Sequence, residues 1–289
     1  MLNPPPDRLK PPDPALDRLI SEVYSDPLDM DLREVLADAW QERGDPRGEC
    51  TALGLRKLRR LAFDEKRLQT LERAGRSWLG ALGAVVRLDV SEWRAGFLHR
   101  AGIAWQAPSP VELAAVLIAP EWQTVRSIYL HDSSPDWLND LWGSAPLHHL
   151  DSIENIALRL VPDIRHSGVS RIRIQVWDED EGPPADLLDG AVLPRLSTLD
   201  VVDHTGRLPL AAILRPGLKN TSLSTEWGAH RLESEAEQFL GSGLDQLRLC
   251  WSRQNVTVTL FKNRSALVHA HDTGPAWATL RRLGFAVYE

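Results

Sequence analysis

Short segments of the form apolar-x-x-apolar-x-apolar return along the second half of this chain and constrain its fold more than any other feature. They begin at Val125, Leu150, Val169, Leu196, Leu218 and Leu244 and read VRSIYL, LDSIEN, VSRIRI, LSTLDV, LKNTSL and LDQLRL. Successive starts lie 25, 19, 27, 22 and 26 residues apart. A strand turns alternate side chains to opposite faces, so each segment offers apolar residues to a core and the intervening residues to the other face. Repetition at about 20 to 29 residues is the period of leucine-rich repeats, in which each unit supplies one strand of a parallel sheet and a looser return segment. Asn155, at the third apolar position of one unit, and Thr221, at the second of another, break the pattern. Asn155 reads either as a ladder residue that hydrogen-bonds a turn or as the mark of a misaligned strand.

Between these segments, EWQTVR, SPDWLNDLWGS, ADLLDGAVLP, LPLAAILRPG and ESEAEQFLGSG each carry a few apolar residues at helical spacing. Short helices or irregular turns are expected there, with Pro194, Pro209 and Pro216 at unit edges where a missing donor does least harm. The competing arrangement is a flat doubly wound sheet with proper helices between its strands, for which these connections are too short and proline-rich. A stack of strands also needs its ends covered. VTVTLFK from Val256 and ALVHAH from Ala266, separated by Asn263 and Arg264, read as a hairpin, and Pro275 to Leu283 as a final helix.

The first third reads as helices. Prolines at 4, 5, 6, 11, 12 and 14 predict an extended arm, and Asp13-Pro14 a capped helix start, with Leu16, Leu19, Ile20, Val23 and Tyr24 lining one face over 14–25. A second start at Ser25 to Pro27 leads through Leu32, Val35, Leu36, Ala39 and Trp40 to a left-handed stop at Gly44. Asp45-Pro46 opens a third helix carrying Leu53, Leu58 and Leu61, and a fourth is expected around Leu68, Leu71, Trp78 and Leu79. The expected fold class is therefore α/β, a small helical bundle followed by an irregular leucine-rich-repeat-like solenoid with a mainly parallel sheet. Its divisions are an arm at 1–13, a helical unit at 14–84, repeats at 85–255 and a cap at 256–289.

The stretch LADAWQERGDPRGE, Leu36 to Glu49, resembles the signature of the bacterial repeat-companion domain, most closely over Glu42 to Glu49. Leu36, Ala39 and Trp40 stand where that pattern has tyrosine, tryptophan and leucine. VSEWRAGFLHRAGIAW, Val90 to Trp105, is similar to a further segment of the family, so the resemblance spans roughly residues 14 to 132. It implies an architecture, a short helical unit preceding leucine-rich-like repeats, and no particular activity. Read as residues alone, Gly44-Asp45-Pro46-Arg47-Gly48 is a turn whose glycines and capping aspartate need no ligand, and the functional reading makes Arg43, Asp45, Arg47 and Glu49 a polar docking surface.

Composition narrows the function. A hydrophobic content of 43%, a charged content of 25% and a net charge of −7 describe an ordinary folded chain and disfavour nucleic acid as partner, since phosphate neutralisation needs clustered Lys and Arg. The basic run Arg56, Lys57, Arg59, Arg60 is the exception, read first as the solvated face of a helix and second as a site that docks a larger complex. Two cysteines, Cys50 and Cys250, fit a reducing compartment, no segment reads as a secretory leader or a membrane span, and a cytoplasmic location follows.

No nucleotide-binding glycine motif and no nucleophile elbow occurs, so neither a cofactor nor a catalytic residue is assigned. His269, His271 and Asp272 are the best metal-ligand candidates, because alternation puts both imidazoles on one strand face, yet solvated histidines explain them as well. His148 and His149 point apart if they lie on a strand. The acidic run Asp178 to Glu181 lacks the spacing of a calcium loop. The expected function is thus a non-catalytic adaptor that takes a protein or peptide partner on the concave sheet face, against the alternatives of a metal-dependent hydrolase built on His269 and His271 or a regulatory subunit. The residues expected to face that partner are Tyr129, His131, Glu154, Arg171, Arg173, Trp177, Asp200, His204, Glu226 and Arg248, in columns with Ile156, Gln175, Val202, Ser222 and Cys250.

Overall fold

A computed structural model describes residues 13–104, 106–130, 137–142, 145–177, 188, 191–214, 217–225, 231–252, 256–270 and 274–288. Of the expected arm at 1–13 only Asp13 is described, and the acidic run lies outside the described residues.

Four helices open the chain: α1 (Pro14–Ser25), α2 (Met30–Glu42), α3 (Pro46–Leu58) and α4 (Glu65–Ala74). Each begins on an aspartate whose carboxylate accepts from free first-turn amides, namely Asp13, Asp29, Asp45 and Asp64. The second helix starts later than Ser25 to Pro27 because Asp29, not Ser25, takes the amides of Asp31 and Leu32 at 3.0 and 2.9 Å. Gly44 supplies the left-handed stop at φ +70°. The fourth helix ends early: Trp78 closes a 3-10 stretch, Gly75–Trp78, and a β-carbon on Gly75 would strike the Trp93 ring.

A single sheet of eleven strands follows, in unbroken chain order. The strands are β1 (Glu92–Arg94), β2 (Phe97–Ile103), β3 (Ser127–Leu130), β4 (Ser152–Ala157), β5 (Arg171–Val176) and β6 (Thr198–Asp203), then β7 (Asn220–Thr225), β8 (Gln246–Trp251), β9 (Val256–Phe261), β10 (Ser265–Ala270) and β11 (Ala286–Tyr288). From β2 to β8 every neighbour is parallel. β1–β2 and β9–β10 close the two ends as antiparallel hairpins, and β11 adds parallel to β10. Both edge strands have three residues, which leaves little unpaired backbone for a second chain. A doubly wound sheet would reverse direction at a switch point, and this order has none.

The protein is mixed α/β, a helical N-terminal region and a large, mostly parallel sheet. All six segments expected from the apolar pattern are strands, and the unit starting at Leu98, with Ala101 and Ile103, is a seventh that sequence reading passed over. It precedes Val125 by 27 residues.

The apolar positions stack in register. Ala101, Ile128, Ile153, Ile172, Leu199, Thr221, Leu247 and Leu260 form one buried column across eight strands. The connections pack against these columns through short helices, including α6 (Leu138–Trp142) and α7 (Leu232–Ser242), so all belong to one core. α5 (Pro110–Leu117) and α8 (Gly274–Arg282) are the other α-helices of the described residues. Trp137 and Trp142 are buried among the connections, where their rings fill the core on that side of the sheet.

Helical unit and sheet meet over aromatic rings. Phe97 lies 5.8 Å from Trp40 and 6.1 Å from Tyr24 between ring centroids, and Arg33 crosses the seam to donate to Arg94 O at 2.7 Å. Burial lowers the Arg33 guanidinium to about 10, and its second contact, 2.6 Å to Pro27 O, keeps the buried charge hydrogen-bonded.

Candidate functional site

The face opposite the core carries the residues expected to meet a partner. Register aligns Arg171, Thr198, Asn220 and Gln246 in one outward column, and Arg173, Asp200, Ser222 and Arg248 in the next. Gln175, Val202, Ser224 and Cys250 form a third. Arg171, Arg173, Asn220 and Arg248 are exposed, so no helix of the described residues covers this part of the sheet.

One expected position is corrected. Ile156 is fully buried and does not face outward. The cause is Asn155, whose φ of +66° inserts one extra residue into β4 between the pairs Ile153–Ile172 and Ile156–Ile174. A bulge of one residue exchanges the two faces beyond it, so Ile156 turns into the core beside Ile174 and Ala157 pairs with Gln175. Asparagine tolerates the left-handed region and repays it here: Nδ2 donates to Leu130 O at 2.6 Å, and Oδ1 accepts from Gln175 Nε2.

That bond continues into a relay. With Gln175 Nε2 committed to Asn155, the Gln175 Oε1 accepts from His204 Nε2 at 2.8 Å, which places the imidazole proton on Nε2. The Trp177 ring stacks on His204 at 3.8 Å and 6° between planes, so these two expected partner residues bind each other.

The structure sorts the remaining expected residues into two groups. Near β2–β4, Arg100 donates to Glu92 and to Glu154, both at 2.9 Å, Ser127 donates to Glu154 at 2.7 Å, and the Arg100 guanidinium lies 4.5 Å from the Tyr129 ring centre. Tyr129 and Glu154 are therefore engaged internally. The sequence gives little sign of Arg100, which organises them, because Ala101 and Gly102 beside it weaken the apolar pattern of β2. Near β5–β8, Arg171, Arg173, Asp200 and Arg248 line one depression of about 570 Å³ whose floor holds Thr198, Asn220, Ser222 and Ser224. Arg173 lies 3.9 Å from Asp200, and among the described residues Arg171 and Arg248 have no ion-pair partner. His131 and Glu226 lie outside the described residues.

Other polar groups serve the fold. Asp203, buried at the end of β6, accepts from the amides of Thr205, Gly206 and Leu208 at 2.9, 3.2 and 2.9 Å, an Asx turn legible as Asp-x-Thr-Gly. His166 accepts from Gly168 N on Nδ1 and donates from Nε2 to Leu147 O, and burial holds it below the ordinary histidine range. Burial pushes the Cys50 thiol up to about 12, with Glu72 and Glu49 adding to the effect, so that sulfur is unreactive. His269 stands exposed opposite Thr257, His271 and Asp272 lie outside the described residues, and the described residues hold no group of three metal-ligating side chains. In the basic run, Arg59 forks onto Glu34 at 3.1 and 2.7 Å, and α3 ends at Leu58.

No family model matches the chain, and neither the curated proteins nor the solved structures contain a match. No helix of the described residues is long and apolar enough to cross a membrane.

Proposed function

We propose that this protein is a non-catalytic docking module that binds another protein or a peptide on the exposed, concave face of its sheet, over β5–β8. The observation that carries the reading is the depression bounded by Arg171, Arg173 and Arg248, where three in-register columns, polar apart from Val202 and Cys250, have no helix of the described residues over them. A solvated sheet face needs polar residues, but not a recess floored by short side chains between long ones. The same reading takes the parallel strands and their short connections as an irregular leucine-rich-repeat-like solenoid, with the helical region as the repeat-companion unit at its first strands. It assigns the protein to the cytoplasm, where Cys50 and Cys250 stay as free thiols.

The test fills the recess. Ser222→Trp places an indole on its floor, while Gln69→Trp adds the same bulk to α4 on the helical unit. Proteins captured by the full chain and lost with Ser222→Trp but not with Gln69→Trp support docking on the sheet. Equal recovery of every protein by both variants, with unchanged melting, contradicts it.

A further inference from the structure

The outward positions of β5–β8 are not a random mixture. The long cationic residues stand on the outer two strands, Arg171 and Arg173 on β5 and Arg248 on β8, while β6 and β7 between them present Thr198, Asp200, Asn220, Ser222 and Ser224 with one apolar residue, Val202. Strands lie about 4.8 Å apart, so three strand spacings separate the two rims by about 14 Å. The result is a trough with guanidinium walls and a hydroxyl-rich floor.

Its charge runs against that of the chain. Three arginines against the single Asp200 give the trough a surplus of two positive charges in a protein whose net charge is −7. The other half of the same face shows what a self-sufficient arrangement looks like: Arg100 is paired there with both Glu92 and Glu154. Across β5–β8, among the described residues, Arg173 has only Asp200 at 3.9 Å, and Arg171 and Arg248 have no acidic partner. Guanidinium groups do not deprotonate in proteins, so the positive charge is permanent.

We infer that the trough takes an extended acidic peptide segment whose carboxylates are shared between the Arg171–Arg173 rim and Arg248, an inference that rests on the docking reading above. Each guanidinium offers the planar fork that matches a carboxylate, and the Ser222 and Ser224 hydroxyls can bond the peptide backbone between the rims. Cations spread over about 14 Å suit several separated carboxylates better than one compact dianion. A nucleic acid fits less well, because the lining has no aromatic ring on which a base would stack.

The experiment selects binders of the full chain from a random-peptide library and measures the enriched peptides by fluorescence anisotropy against the wild type, Arg171→Ala/Arg248→Ala and Ser222→Trp, with a single-stranded oligonucleotide in parallel. Enriched peptides rich in Asp and Glu, weakened about tenfold or more by the double substitution and weakened by added salt, are the expected result. Neutral or basic peptides that still lose binding with Ser222→Trp would overturn the acidic assignment and leave docking on the sheet intact. Peptides indifferent to both variants, or no enrichment at all, would overturn both. Tighter binding of the oligonucleotide than of any peptide would replace the acidic segment with a nucleic acid.

Discussion

The indole of Trp177 lies flat on the imidazole of His204, centroid to centroid 3.8 Å, one residue beyond the paired ends of two neighbouring parallel strands. Trp177 is still 39% exposed, so the stack is a surface clasp between β5 and β6. Substituting either residue by alanine should lose the same increment once, and the double-mutant cycle in urea should give a coupling of about 1 kcal/mol. Strictly additive losses would show that the rings touch without stabilising the strand ends.

Asn155 fixes both the bulge and the start of the polar relay, so its two roles separate by substitution. Asn155→Gly keeps a residue that accepts φ +66° and loses two hydrogen bonds, a cost of about 2 kcal/mol. Asn155→Ala loses the same bonds and adds backbone strain, so it should be less stable than the glycine variant by about 1 kcal/mol. Equal unfolding midpoints for the two would show that β4 shifts register instead of keeping the bulge.

Glu235 is buried on α7 with Oε1 3.0 Å from Arg231 Nη2 and, among the described residues, Oε2 without a hydrogen-bond partner. Desolvation outweighs the nearby guanidinium and raises the carboxyl from 4.5 to about 7. The folded protein therefore holds a proton that the unfolded chain releases between those values. The stabilisation is complete below about pH 4.5 and is lost as pH rises through 7, a contribution of about 3 kcal/mol. Glu235→Gln keeps an oxygen for Arg231 and removes the ionisation. Its urea midpoint should exceed that of the wild type at pH 8, with the gap narrowing towards pH 5. A variant less stable by a constant amount at both values would place the ionised carboxylate in the native state throughout.

Much of the sheet was legible because a period-two pattern and a roughly constant spacing leave few alternatives. The losses have physical reasons. The strand at Leu98 carries Ala101 and Gly102 where larger residues would advertise it, since Ser91 and Val90 pack against Gly102 too closely for a side chain. Thr221 occupies a core column between Leu199 and Leu247, where its methyl is tolerated and its hydroxyl stays without a partner among the described residues. Asn155 reversed the faces of β4 because a bulge leaves composition unchanged and alters only parity. The outward columns of β5–β8 were legible, whereas the pairing of Trp177 with His204, and of Arg100 with Glu154, depends on side chains from different strands that no single segment reveals.

Docking on β5–β8 is tested most directly by placing a photoreactive benzoylphenylalanine at Ser222, on the floor of the recess, and at Gln69, on α4, in otherwise native full-length chains. Mass spectrometry of the irradiated complexes should find a partner joined at Ser222, displaced by excess unlabelled protein and absent from the Gln69 sample. Crosslinks that form at Gln69 alone, or equally at both positions, would contradict it and move the interaction to the helical region.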